Sequence, residues 1–173
     1  MKTILTEQQL AITIQRLCHQ ILENHPDLVN TVLIGIQPRG IYVSERIVKQ
    51  LKLQMKTSNL QYGKLDITFY RDDVRKELHK ANHTDIPFSN EGRNVVIIDD
   101  VLYTGRTIRA ALDALLDFGR PAKVELCILI DRRFSRQLPI QPDYTGKSID
   151  SIVTQKVKVF WDEKDGKEEV MLL

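Results

Sequence analysis

Four short apolar runs, at residues 31–36, 65–70, 95–98 and 124–130, punctuate this chain, and stretches with the periodicity of a helix lie between most of them. Such runs, bounded by turn-prone residues, read as buried strands. A helical crossover between two strands makes them parallel, and parallel sheets are covered on both faces. The alternation therefore predicts an α/β fold with a central, mostly parallel sheet flanked by helices. Ligands of such folds gather at the carboxyl ends of the strands. Residues just after Ile36, Tyr70, Ile98 and Ile130 are thus expected to share one cleft.

The remaining elements follow from the same patterns. Thr6 is placed to cap a helix over residues 7–23, with Leu10, Ile14, Leu17, Ile21 and Leu22 on one face. A second helix is expected over 41–51. A third, over 108–118, carries Ile108, Ala111, Leu112, Leu115 and Leu116 on its apolar face and stops at Gly119 and Pro121. Residues 153–161 and 168–173 read as a terminal β pair around Asp165 and Gly166. At 173 residues the chain is expected to be one domain, 1–173, with a substantial core. A net charge of +2 gives no global nucleic-acid footprint, while leaving room for a local basic patch. Cys18 and Cys127 have apolar neighbours and no metal-ligand spacing, so reduced, buried thiols are expected. No apolar stretch is long enough to span a membrane and the first five residues lack a signal peptide's hydrophobic region, so the expected location is cytoplasmic.

The third run carries the chemistry. Val95 to Ile98 leads onto the adjacent carboxylates Asp99 and Asp100, and after Val101, Leu102 and Tyr103 the turn Thr104-Gly105-Arg106-Thr107 opens into a helix. A helix N-terminus exposes N–H groups of partial positive charge, and Gly105 removes a Cβ that would keep a ligand off the backbone. A phosphate monoester fits there, with the hydroxyls of Thr104 and Thr107 as further donors. Asp99 and Asp100 can accept from vicinal ribose hydroxyls or hold Mg²⁺ through water. Two acids at a strand end, taken alone, also suit the solvated edge of an ordinary α/β core or the cap of the next helix. The ordered string as a whole points to a phosphorylated sugar held with a divalent metal. The chain has neither the Gly-x-x-x-x-Gly-Lys-Ser/Thr loop of nucleotide hydrolases nor a Gly-x-Gly-x-x-Gly dinucleotide turn.

In this form residues 95–107 resemble the phosphoribosyl pyrophosphate (PRPP) signature of type I phosphoribosyltransferases. Four further blocks keep the order and spacing of one group within that superfamily: Gly35 to Tyr42, Asp66 to Asp73, Asp131-Arg132, and Asp143 to Lys147. Over nearly its whole length the chain resembles the PyrR family of bifunctional pyrimidine operon regulators and uracil phosphoribosyltransferases.

The resemblance implies a type I phosphoribosyltransferase-like fold with a small C-terminal hood at about 140–173 and a flexible lid loop at about 71–91. It implies Mg²⁺-dependent transfer from PRPP to uracil, giving UMP and pyrophosphate, with Asp99, Asp100 and Arg39 as the catalytic groups. Asp99, Asp100, Val101, Leu102, Tyr103, Thr104, Gly105, Arg106 and Thr107 would bind the ribose 5-phosphate, and Asp99 and Asp100 the metal through water. Pro38, Arg39 and Gly40 would form the pyrophosphate loop, and Tyr70, Arg71, Asp72 and Asp73 the base of the lid. Arg132, Lys147 and Val157 are the candidates for the base, with the backbone at Val157 offering uracil a donor and an acceptor. A structural salt bridge is an equal reading of Arg132.

The family's other activity is UMP-responsive binding of an mRNA leader, for which Arg16, His19 and Arg136 are the possible face. Transfer to a purine base is a further reading of the same signature. A homodimer or dimer of dimers is implied as well. The chain departs from the family at Pro38, where Thr is frequent, and at residues 131–139, where a Gly-His pair is missing and the run is one residue longer. His79 and His83 read as solvated loop residues without a third metal ligand.

Overall fold

The structure is a computed structural model that describes residues 1–56, 59–72 and 81–173. Strand β1 (Lys2–Leu5) leads through Thr6 into helix α1 (Glu7–Asn24). Thr6 Oγ1 accepts from the Gln9 N–H and the Gln9 side chain accepts from the Thr6 N–H, which closes a capping box. Then follow β2 (Thr31–Ile36), α2 (Gly40–Met55), β3 (Tyr62–Leu65), β4 (Asn94–Leu102), α3 (Arg106–Leu115), β5 (Lys123–Arg133) and β6 (Tyr144–Asp150). These five strands form one sheet in the order β3-β2-β4-β5-β6, every neighbouring pair parallel.

Strand periodicity builds the two layers of core. Val32 and Ile34, Val95 and Ile97, and Leu126 and Ile128 pack with Ile108, Ala110, Ala111, Ala114 and Leu115 of α3. Their chain neighbours Leu33, Val96, Ile98, Cys127 and Leu129 pack on the other face with residues of α1 and α2 such as Leu10, Leu17, Ile47 and Leu51. Each fully buried Leu or Ile contributes roughly 1.5–3 kcal/mol, against about 0–1 kcal/mol for an exposed ion pair, so these two layers hold the sheet.

The strand order also locates a crevice. From β2 the chain moves through α2 to β3 on one side, whereas β4 lies on the other side of β2 and sends α3 to the opposite face. The loops leaving β2 and β4 therefore diverge, and the gap between them at the carboxyl ends of the strands is where such sheets receive ligands.

A second sheet, β1-β8-β7, is antiparallel and comprises β7 (Val157–Phe160), β8 (Glu169–Leu172) and the N-terminal strand, with helix α4 (Asp162–Asp165) between β7 and β8. It is anchored on α2 by the fully buried Trp161, which stacks on Tyr42 at 6.2 Å between ring centroids and lies 4.6 Å beneath the Arg46 guanidinium.

Several expectations are corrected. The strand expected at 65–70 is β3, which begins three residues earlier and ends five earlier; it stops with β2 at the Ile36–Leu65 pair, after which Asp66 accepts from the Thr68 hydroxyl and the chain bends into a 3-10 turn. Asp99 and Asp100 lie within β4 rather than beyond it, because the longer β5 keeps pairing as far as Leu102 and Asp131. Residues 144–150 belong to the main sheet as β6, not to the hood, which takes β1 instead. Leu112 of α3 and Leu116 of the 3-10 turn that follows it are exposed, and the buried face of α3 runs through Ala110 and Ala114, whose small side chains let the helix lie close on the sheet. The end of the expected flexible loop is docked: Lys64 and Asp85 form a bridge, and the Asp66 N–H donates to Thr84 Oγ1. Asp73 and His79 lie outside the described residues.

Candidate active site

The turn after β4 forms a small cavity of about 310 Å³, lined by residues 101–108 together with Arg71 and Gln137. Gly105 sits at φ +94°, ψ −7°, a left-handed conformation that costs other L-residues roughly 1–2 kcal/mol, and this lets the chain turn sharply into α3. The loop is also held by its neighbours in the fold. Its Thr104 carbonyl accepts from the Gln137 N–H at 2.9 Å, and Arg106 is turned outward onto Gln137 Oε1 at 2.8 Å and Asp72 at 3.0 Å. Arg109, one turn further along α3, donates to the Tyr70 carbonyl at 3.4 Å, while the Tyr70 hydroxyl donates to Asp117. Tyr70 and Asp72 are thereby fixed on α3, with Arg71 between them lining the cavity. The start of α3, with its helix N-terminus, Thr104 and Thr107, lines this cavity beside Arg71 and Gln137.

Asp99 and Asp100 stand beside this cavity, 6% and 7% exposed. Asp99 Oδ1 accepts from the Asp100 N–H at 2.9 Å. Burial, reinforced by the charge of Asp100, holds the Asp99 carboxyl well above the usual carboxylate range. Burial also raises Asp100, against the pull of the Arg39 guanidinium. Burial thus disfavours the charged forms of both carboxyls, and positive charge brought beside them would favour the carboxylates.

Arg39 supplies the opposite wall. It lies just after β2, beyond the cis Gln37–Pro38 bond, and its Nε is 3.4 Å from Asp100 Oδ2, across the gap between β2 and β4. Its Nη2 donates to the Val159 carbonyl of β7 and lies 3.9 Å from Asp165. Gly40 permits this closeness, since a Cβ there would lie 2.7 Å from Asp99 Oδ1 and 2.9 Å from the Ile98 carbonyl. Neither Gln137 nor Asp165 is singled out by the sequence. Each lies in a turn where a polar residue reads as solvated, and only the fold brings it to the site.

The base candidates part company. Lys156 and Leu173 exchange both backbone bonds, so in the β7–β8 ladder Val157 and Val159 point their N–H and C=O groups away from β8. Val157 accordingly presents a donor and an acceptor along the edge whose Val159 carbonyl meets Arg39. Lys147, by contrast, lies on β6 and donates through Nζ to the Ile4 carbonyl at 3.0 Å, bridging the two sheets rather than approaching a base. Arg132 is buried, and its Nε and Nη2 are engaged with Ser151 and with the Ile152 and Gln155 carbonyls.

The residues named for an RNA face hold different parts of the fold. Arg16 binds the Thr145 and Gly146 carbonyls of β6, whereas Arg136 binds Asp131 and the Tyr103 carbonyl. Thr145 pairs with Ile128, three residues before Asp131, a separation of roughly 10 Å along the strand. His19 is exposed on α1.

A divalent ion fits the donor set in one way. Among the described residues no group of three or more His, Cys, Asp or Glu side chains is arranged to hold a metal. Two carboxylates facing an anion cradle suit an ion carried mostly by phosphate oxygens and water, which is how Mg²⁺ is usually bound.

Comparison with known proteins agrees with this architecture. Residues 1–164 match the family model described as phosphoribosyl transferase domain. A bifunctional protein PyrR from Picosynechococcus sp. is 46% identical over 171 residues, 98% of this chain and 96% of the relative. One from Enterococcus faecalis is 45% identical over 161 residues, 91% of this chain and 88% of the relative. Among solved structures, the hypoxanthine phosphoribosyl transferase of Trypanosoma cruzi superposes with a TM-score of 0.75 at 18% identity, covering 99% of this chain and 90% of that one. A hypoxanthine phosphoribosyltransferase of Staphylococcus aureus does so with a TM-score of 0.72 at 20% identity, covering 98% and 90%. At such identities the structural likeness establishes the fold alone.

Proposed function

The chain belongs to the phosphoribosyl transferase family, and within it to the bifunctional PyrR group, and on that footing we propose that it transfers the phosphoribosyl group of PRPP to N1 of uracil, giving UMP and pyrophosphate. The observation that carries this reading is the 3.4 Å approach of Arg39 to Asp100. It joins an anion-binding loop after β2 to the acid pair and phosphate cradle after β4, so that one crevice can hold both ends of PRPP.

The chemistry follows from charge. Cleaving the bond to pyrophosphate leaves an oxocarbenium-like centre at C1 and a highly charged leaving group; uracil N1 bonds to C1 and gives up its proton to the departing pyrophosphate or to solvent, so the protein needs no strong nucleophile of its own. Residues 103–107 fix the 5′-phosphate and thereby place C1. Asp99 and Asp100 accept from the ribose hydroxyls, and their negative charge stabilises the positive centre. Arg39 moves from Asp100 and Val159 onto the leaving pyrophosphate. Mg²⁺, when bound, neutralises further phosphate charge beside the acid pair. The Val157 N–H and C=O are placed to pair with a uracil carbonyl and N3–H.

The test is pyrophosphate release from PRPP and Mg²⁺ with uracil, hypoxanthine, guanine or adenine supplied singly. Uracil is expected to support turnover; a purine alone doing so would assign the other base class. Leader-RNA regulation is the second reading, supported by membership of the PyrR group and by Arg16 and His19 standing one turn apart on the exposed face of α1. A gel shift with a pyrimidine-operon leader, strengthened by UMP across a salt series, is its expected signature; a UMP-independent, salt-sensitive shift would mark nonspecific binding.

A further inference from the structure

We infer that Arg132 is a positioning residue that sets the base-reading strand β7 in register with the ribose 5-phosphate loop, an inference that rests on the transferase reading above. Arg132 ends β5 and is 5% exposed. Its Nε donates to Ser151 Oγ at 2.8 Å, and its Nη2 donates to the carbonyls of Ile152 at 3.2 Å and Gln155 at 2.9 Å. The face of the same guanidinium lies 4.0 Å over the ring of Tyr103. One cation therefore binds two separate parts of the site. Tyr103 belongs to the phosphate cradle, where Arg136 also holds its carbonyl at 2.6 Å. Residues 151–155 form the turn that delivers the chain to β7, and Gln155 is two residues before Val157.

That turn has little else to hold it. Its own bonds are the Gln155 N–H to the Ile152 carbonyl at 3.1 Å and the Ile152 N–H to Gln155 Oε1 at 3.0 Å. Its apolar side chains Ile152 and Val153 are 65% and 77% exposed, so packing does not fix it. Past the turn, Lys156 pairs with Leu173 and β7 with β8 inside the small sheet, whereas Arg132 ties the turn itself to β5 and to Tyr103. A lysine in its place carries the charge but cannot reach three acceptors while lying flat on an aromatic ring, because an ammonium has neither the planar fork nor the flat face. The distance from phosphate to base is thus fixed by a group that touches neither. Losing it is expected to weaken recognition of the base selectively, while leaving the phosphate cradle itself in place.

The experiment compares wild type with Arg132→Lys and Ser151→Ala. Steady-state KM values for uracil and PRPP are measured, with calorimetric Kd values for ribose 5-phosphate, UMP and GMP. In Arg132→Lys the uracil KM and the UMP Kd are expected to rise roughly tenfold or more, while the PRPP KM and ribose 5-phosphate Kd stay within about twofold. Ser151→Ala, which removes one bond and keeps the arginine, is expected to shift the same two values by about threefold and carries the test if Arg132→Lys does not fold. Equal rises for both ligands, or a lowered melting temperature with unchanged constants, would overturn the positioning role. Wild type separates the two claims. If it binds GMP and not UMP, the uracil reading fails and the split is read with GMP against ribose 5-phosphate; if it binds no nucleotide, both claims fall.

Discussion

Replacing Gly40 with alanine strains the seam on which the whole site depends. The added Cβ falls 2.9 Å from the Ile98 carbonyl oxygen, 3.1 Å from Asp99 Cα and 2.7 Å from Asp99 Oδ1. Carbon–oxygen contacts in sheets settle near 3.3–3.6 Å, so the overlap is roughly 0.4–0.9 Å. Two of the three atoms are backbone of the central strand, which is paired on both sides and cannot yield. The start of α2 must move instead, and Arg39 with it. Overpacking of this kind costs about 1–3 kcal/mol, which in a chain of this size lowers Tm by roughly 2–12 °C. A misplacement approaching 1 Å at reacting groups costs up to about 100-fold, so kcat/KM is expected to fall roughly 10- to 100-fold at temperatures where the variant remains folded. The assay pairs a thermal melt with pyrophosphate release. Gly92→Ala is the control: it forces a residue into positive φ, at +66°, a strain absent at Gly40, while its Cβ meets nothing within 4 Å, so a loss of about 1 kcal/mol with unchanged turnover is expected. If Gly40→Ala melted and turned over like the control, the argument from close approach would be refuted.

Converting Asp99 and Asp100 together to Asn is expected to reduce turnover by about 100-fold or more without unfolding the chain, since burial already disfavours the two charges. The sign is testable: a carboxyl raised in the fold stabilises it at low pH and loses that contribution as pH rises, so wild type should lose stability relative to the double variant as pH rises above about 4. Arg39→Lys keeps the charge but not the fork linking Asp100 to the Val159 carbonyl. A rise in PRPP KM of roughly tenfold is expected, and an unchanged value would remove Arg39 from the pyrophosphate loop. At the other end of the sheet, Glu125 is buried, and burial alone would raise its pKa. Bonds from Lys123, His25 and Tyr144 win and pull it to about 2. Its contribution, on the order of 2–3 kcal/mol, is present above the ordinary carboxylate range and is lost as pH falls from about 4.5 toward 2. Denaturant melts across that window should therefore show a steeper loss for wild type than for Glu125→Gln; parallel loss would contradict the network.

The legible parts of this molecule are those governed by local rules. Thr6 followed by Gln9 announces a capped helix, and the β-branched runs that became β2, β4 and β5 are buried on both faces, so hydrophobicity alone reveals them. The candidate phosphate cradle is legible because one short segment holds strand, acids, glycine and helix start in order. What escaped depends on partners distant in sequence. β1 and β6 are four and seven residues long and largely polar on one side, and they exist as strands because β8 and β5 offer them edges. Leu112 and Leu116 fit a helical stripe as well as Ala110 and Ala114 do, and only the closeness of α3 to the sheet decides for alanine. Lys147 and Arg132 looked alike as cations near a base. The fold turned one onto Ile4 and the other onto a turn twenty residues further along.

The central claim is that the crevice between β2 and β4 holds a nucleoside 5′-monophosphate with its phosphate on the start of α3. A crystal structure of the chain with UMP tests it most directly. The account predicts the phosphate within hydrogen-bond distance of the backbone of residues 103–107, the ribose hydroxyls on Asp99 and Asp100, and the base against Val157. UMP seated elsewhere, for instance in the cavity of about 350 Å³ beside Thr31 and Arg93 at the opposite end of the sheet, would contradict it.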